Sequence, residues 1–477
     1  MHMSNRSTEG HTDAAVSRAD AAHLLRRTAF GGSAEEIDAL IGKTRRECVE
    51  IVMGFDDNSS VPEGPDVGDL PWEVDRENQW RVHDLILEWW VDRMAGLLSP
   101  STVPPDPPSE AAGLPIYERL AFFWHDHFAC GQHKVQDIEA MWDQLRLFRR
   151  MALGNFATLL KAVAIHPAML VALDNQHNTV RNPQENFARE VMELYTCGVG
   201  HFSEADVVSM TAAWTGHNTI GFSLGDTHWN STYAYRDDDH DNSEKTLFGI
   251  TARWNGIAQH PRERDAIDEL VFGSRQHATA ERITTLMFRF FANLEPDQTT
   301  ISELANVFKQ SGMEISALVR AILLHDDFWN QSSRWALVKN PLDFVVSVIR
   351  RTGLPASSLE LRHPMMQMGM VPLDPPSVAG WGQGEAWLST ASAWGRGSFA
   401  LNLNRRVELE QQFSELQHMS AGAAVDQIFA FFGIDEPSTE TRVRLQQWFD
   451  EAYESHRWSI ASQAPIVGSL IAEFQVY

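Results

Sequence analysis

Cysteine is scarce. Cys48, Cys130 and Cys197 are the three in 477 residues, with no Cys-x-x-Cys spacing. That excludes a disulfide framework and a zinc knuckle. Positive charge is also in short supply: 39 Lys and Arg stand against 64 Asp and Glu, a formal net charge of −25. Nucleic acids and anionic membranes reward clustered Lys and Arg, so neither is an expected partner. An anionic substrate stays open if a few basic residues gather in one pocket. No run approaches the ~18 consecutive apolar residues of a spanning helix, so no membrane insertion is expected. The opening "MHMSNRSTEGHTDAAVSRAD" lacks an apolar signal core. As it reads, it predicts a cytoplasmic chain; export is the alternative if a signal has been removed. There is no Gly-x-x-x-x-Gly-Lys-Ser/Thr loop, no Gly-x-Gly-x-x-Gly after a strand and no Gly-x-Ser-x-Gly. Nucleotide binding and α/β-hydrolase chemistry therefore have no support.

What is present describes a large globular protein. Apolar residues make up 43% and charged residues 22% of the chain, enough to build a sizeable core. Apolar positions recur at helical spacing over most of its length, as in "NQWRVHDLILEWWVDRMAGLL" at 78–98. Ser33 with Glu36 forms a capping box after Gly31-Gly32. The stretch "HNTIGFSLGDTHWNSTYAYRD" alternates β-formers around Gly225-Asp226 and reads as a hairpin. The expected fold is mainly α: a large multi-helical domain with a small β-hairpin insertion near 217–250. Residues 1–19 are expected to be mobile, 20–400 to form the main domain, and 401–477 a helical unit packed on it.

Four clusters carry polar side chains suited to chemistry. In "FFWHDHFACGQHKV" (122–135), Ile116, Leu120, Phe123 and His127 fall on one helical face, so His127 is expected to point inward. His125 lies about 200° round the helix from it. The two histidines share a metal only if the helix ends near Trp124. Three readings stay open: imidazoles bonded to backbone carbonyls, acid–base work, or metal ligation. In "NPQENFAREVMELYTCGVG" (182–200), Asn186, Arg189, Glu190 and Glu193 share a polar face. Asp174, Asn175, His177 and Asn178 stand in the loop before it. In "RDDDHDNSEKTLFG" (236–249), His240, Asp241 and Lys245 offer an acid, a base and a cation, or only an exposed acidic turn. In "DPPSVAGWGQGEAWLS" (374–389), three glycines allow close backbone approach, and Trp381 and Trp387 offer flat faces for a ring.

These clusters, in this order, resemble a large bacterial family catalogued as domain of unknown function 1800. The match runs from "HLLRRTAFGGSAEEI" through "ERLAFFWHDHF", "HPAMLVALDNQHN", "TAAWTGHN", "HDNSEKTLFG" and "PPSVAGWGQGEAWL" to "LIAEFQVY". The resemblance implies shared polar positions at His125, His127, Asp174, Asn175, Asn186, Arg189, Glu190, Glu193, His240, Asp241, Lys245, Gly380 and Trp381. It also implies that export and a polysaccharide-related role occur among relatives. The chain departs from the pattern with Tyr195, where many relatives have histidine, and with "VGHFSE" at 199–204.

The first functional expectation is an enzyme working by acid–base chemistry on a small polar or glycan-like substrate. His127, Glu190, Arg189, His240, Asp241 and Lys245 are its catalytic set. Asp174, Asn175, Asn186, Trp381 and Trp387 bind substrate. The second is a metal-dependent oxidoreductase or hydrolase holding a divalent metal on His125, His127 and Glu193. The third is a non-catalytic binding or assembly protein.

Overall fold

The computed structural model describes residues 13–97, 114–221 and 231–477, apart from 57, 63, 65, 66, 68, 76 and 405. Two expectations fall partly outside that range: the mobile segment expected at 1–19, of which 1–12 lie outside, and the hairpin turn at Gly225–Asp226. The described chain is mainly α-helical, with three two-stranded sheets.

The core is organised on one helix, Pro115–His127. Pro115 occupies its first turn, where a missing N–H costs nothing. Every residue from Ile116 to His125 is buried, because helices Arg18–Ala29, Gln79–Met94 and Ile138–Arg150 pack around it. Two buried ion pairs tie it to its neighbours. On one side Glu118 receives Arg149, Nη2 to Oε1 at 2.6 Å, and the Trp90 indole N–H at 2.8 Å. On the other, Arg119 meets Asp343 and donates to the Tyr477 hydroxyl at 2.8 Å. Asp343 lies in helix Pro341–Thr352, so the central helix is locked to that helix and to residue 477.

The Ser33–Glu36 capping box forms, with Ser33 N donating to Glu36 at 2.6 Å. Two helices follow it. Ala34–Asp38 ends early, and Thr44 opens Arg45–Met53 with its own box to Glu47. Gly42, at φ +78°, makes the turn between them. Two antiparallel ribbons, not one, occupy 217–252. His217–Ile220 pairs with Thr232–Tyr235, and Lys245–Leu247 with Ile250–Ala252. Residues 475–477 return to 337–339: Lys339 N donates to Gln475 O at 2.8 Å and Tyr477 N to Leu337 O at 3.0 Å.

The segment 369–388 lies across the end of the central helix and is fixed there by backbone amides. Leu373 N–H donates to His125 Nε2 at 2.9 Å, and Trp381 N–H to Asp126 Oδ1 at 2.8 Å. Behind it, helix Gln276–Phe291 buries Ala280, Ile283, Thr284, Met287, Phe288 and Phe291 as one stripe. Arg282, Leu286, Arg289 and Phe290 form a second stripe facing the loop.

Candidate functional site

Between the central helix, the 369–388 loop and helix Gln276–Phe291 run two small adjoining cavities. One, about 90 Å³, is lined by Phe123, Asp126, His127, Leu194, Arg282, Leu286, Val378, Ala379, Trp381 and Gln383. The other, about 50 Å³, has Asp126 and Gln383 again, with Arg289, Asn340, Trp387 and Tyr477 among its walls. Asp126 and Gln383 therefore stand at the junction of one cleft. A water needs roughly 10–15 Å³ of such space, so the cleft suits a small polar molecule or group with its waters, not a whole oligosaccharide.

Asp126 is the chemical centre. It occupies the last turn of the central helix, mostly buried, and no cation pairs with it among the described residues. Burial pushes its carboxyl up to about 7, opposed only by the Trp381 amide. The amide reaches it because residue 380 is glycine. Gly380 has φ +78°, and a Cβ there would lie 2.2 Å from Asp126 Oδ1. Gly380→Ala is expected to pull the loop off Asp126 and lower the thermal midpoint, which differential scanning calorimetry would read.

His127 stacks parallel to Phe123, at 6.1 Å and 4°, and its Nε2 lies 3.2 Å from the Tyr195 carbonyl. A carbonyl only accepts, so Nε2 carries the proton and Nδ1 is left as an acceptor. Burial lowers its pKa to about 3, and the Arg282 charge adds to the effect. The imidazole is therefore neutral.

The two arginines are unlike most in this chain. Arg282 donates Nε to Leu194 O at 3.2 Å, and burial lowers its pKa against the pull of Cys197 and Glu193. Arg289 Nε is buried without a partner. No carboxylate lies within ion-pair distance of either guanidinium among the described residues. They are seven residues apart, two helical turns, and so point into the same cleft. The Trp381 indole N–H is also buried without a partner. The site thus presents unsatisfied donors around one protonatable carboxyl.

The sequence-derived residues divide among several places. His127, Trp381 and Trp387 line the cleft. His125 lies beneath it, 1% exposed, with rings of Trp90 and Trp381 at 5.9 and 5.4 Å. Its Nε2 accepts from Leu373, so it is neutral, and burial lowers its pKa to about 3. The helix does not break at Trp124 but continues to His127, and the two imidazoles engage different partners. No group of three His, Cys, Asp or Glu side chains is placed to hold a metal among the described residues. The expected set of His125, His127 and Glu193 is thus not assembled.

Glu190 is half-buried, its pKa raised by burial and by Glu193. Arg189 grips Glu204 with two hydrogen bonds of 3.0 and 2.8 Å. Asn186 is exposed at the start of helix Asn186–Glu193. Asp174 accepts from Lys134 at 2.8 Å. Asn175 donates to the His217 carbonyl at 2.8 Å and accepts from Asn178, which anchors the first ribbon. His240 Nδ1 meets the Thr215 carbonyl at 2.8 Å, Asp241 N donates to Thr215 Oγ1 at 2.8 Å, and Lys245 Nζ donates to the Ser243 carbonyl at 2.8 Å. Asn175, His240, Asp241 and Lys245 hold the ribbons, and none of these residues lines the cleft. Asp126, Arg282, Arg289 and Gln383 are the cleft residues that motif reading passes over.

The family model for "Protein of unknown function (DUF1800)" matches residues 23–472. This chain belongs to the DUF1800 family. The match spans the central helix, both arginines and the 369–388 loop, so every wall of the cleft except Tyr477 falls within it. No curated protein and no solved structure matches the chain.

Proposed function

We propose that this DUF1800 protein is an enzyme acting on a small polar substrate that carries one anionic group. The observation behind the reading is the pairing of two guanidinium groups, neither with a carboxylate partner, with one protonatable carboxyl in a single cleft. In a chain of net charge −25, leaving two arginines unpaired beside a cavity favours an anion in that cavity. Arg282 and Arg289 are the charge partners, Gln383 is an adjustable hydrogen-bonding group, and the indoles of Trp381 and Trp387 flank the substrate body. Asp126, protonated up to about neutral pH, is the proton donor. A sugar acid or sugar phosphate is the carbohydrate form of such a substrate. Glu190, Arg189, His240, Asp241 and Lys245 have no role in this reading.

The test is ligand-dependent thermal stability with glucuronate, glucose 6-phosphate and glucose. The charged sugars are expected to raise the unfolding midpoint, glucose to leave it unchanged, and Arg289→Met to abolish the gain. Equal stabilisation by glucose, or a gain that survives Arg289→Met, would overturn the reading. With a turned-over substrate in hand, Asp126→Asn is expected to bind it and to lose about 10²- to 10⁴-fold in kcat.

A further inference from the structure

A second concentration of charge lies on the far side of Tyr477 from the cleft. Arg26, Lys339 and Arg351 line a small cavity of about 20 Å³, with Asp343 and Glu473 also in its walls. All three sit in largely apolar surroundings. Arg26 lies over the Trp335 ring at 3.9 Å, and Lys339 Nζ over the Phe474 ring at 3.8 Å. The Arg351 guanidinium is threaded past Gly433, where a Cβ would lie 1.9 Å from Nη2. The wall has been left without a side chain to admit it.

The carboxylates nearby are committed elsewhere. Asp343 serves Arg119, the Tyr477 hydroxyl and Asn340. Glu473 accepts from Ser438 N and Thr441 Oγ1, each at 2.9 Å. Asp435 reaches Arg26 only at 3.7 Å and is shared with Arg18. Arg26 Nε is buried without a partner. Lys339 Nζ and the Arg351 guanidinium have no hydrogen bond or ion pair among the described residues. Three basic side chains thus meet at one cavity whose carboxylates, Asp343 and Glu473, are engaged by other donors, with Asp435 the single ion-pair partner of Arg26 among the described residues, and crowding them there carries an electrostatic cost.

We propose that this cavity binds one monatomic anion, chloride under physiological conditions, held between Arg26, Lys339 and Arg351. Size argues for a monatomic ion. A water-sized particle needs roughly 10–15 Å³ of such space, so the cavity takes one, and phosphate or sulfate does not fit. Burial draws Lys339 well below its usual pKa and Arg26 and Arg351 to about 10, which is the direction a bound anion reverses. The ion is structural: it neutralises the junction between helix Pro341–Thr352, the C-terminal helices and residues 475–477. The site does not depend on the function proposed for the cleft.

Crystals grown in sodium bromide, with diffraction recorded at the bromine edge, test it directly. An anomalous peak among Arg26, Lys339 and Arg351 is expected; its absence overturns the proposal. In solution, the thermal midpoint is expected to rise and level off as gluconate is replaced by chloride at constant ionic strength. Lys339→Met is expected to remove that dependence while leaving glucuronate stabilisation at the cleft intact. A chloride response that persists unchanged in Lys339→Met would place the ion elsewhere and sink the assignment.

Discussion

Urea will unfold this protein far more easily at pH 5 than at pH 7. Burial lowers the pKa of His125 and His127 to about 3, and of His166 and His217 to about 4, from the usual 6.5. Each is neutral in the folded chain and gains a proton on unfolding once the pH falls below about 6.5. The unfolded state then binds more protons, so stability falls with pH across the window from 6.5 down to the folded values. Two carboxyls oppose this most strongly; burial also raises Glu88, Asp137, Glu190 and Asp265, while lowered values at His23 and His240 add to the histidine side. Burial raises Asp126 to about 7 and Asp92 to about 6. Their contribution is present below the unfolded carboxyl value and is lost as pH rises through the folded one. The histidines outnumber Asp126 and Asp92, leaving a net uptake of about two protons on unfolding near pH 5.5. That corresponds to roughly 3 kcal/mol per pH unit, against a total stability of about 5–15 kcal/mol. Tryptophan fluorescence through a urea titration gives the midpoints; equal midpoints at the two pH values would show that these imidazoles are not neutral and buried.

Asp343→Ala is expected to cost about 3–5 kcal/mol of stability. Arg119 is 0% and Asp343 1% exposed, so removing the carboxylate leaves a buried guanidinium without its counter-charge. It also strips the acceptor from the Tyr477 hydroxyl and from Asn340. The double variant Arg119→Met/Asp343→Leu is expected to recover much of that loss, because an apolar pair of similar volume carries no stranded charge. Equilibrium urea denaturation of the two variants measures both. A cost under about 1 kcal/mol for Asp343→Ala would mean that water reaches Arg119.

The mainly helical architecture was legible in the spacing of apolar residues, and the hairpin in the alternation of β-formers after His217. Helical phase failed to separate His125 from His127 for a simple reason. Phase distinguishes an inner face only when a helix has an outer one, and Pro115–His127 is wrapped on all sides to His125. His125 is the deeper of the two. Arg282 and Arg289 have a visible i, i+7 spacing, but spacing does not tell which arginines lack a carboxylate; that depends on helices brought together from distant sequence. Asp126 stood in plain view between two histidines whose metal-ligating reputation drew the eye. What marks it is the Trp381 amide, delivered from 255 residues away. The acidic turn at 237–241 shows the opposite failure: residue types suited to chemistry are occupied in holding backbone.

The cleft's walls come from residues 122–127, 194, 282–294, 337–340, 370–387 and 477. A chain emerging from the ribosome passes through all but one of these before Tyr477 appears to close the second cavity and satisfy Arg119. Until then the buried guanidinium has lost one of its partners and the loop at 369–388 lies over an open edge. Assembly of the site therefore waits on residues 475–477, and a chain without them would hold a half-walled cleft and an Arg119 short of one partner.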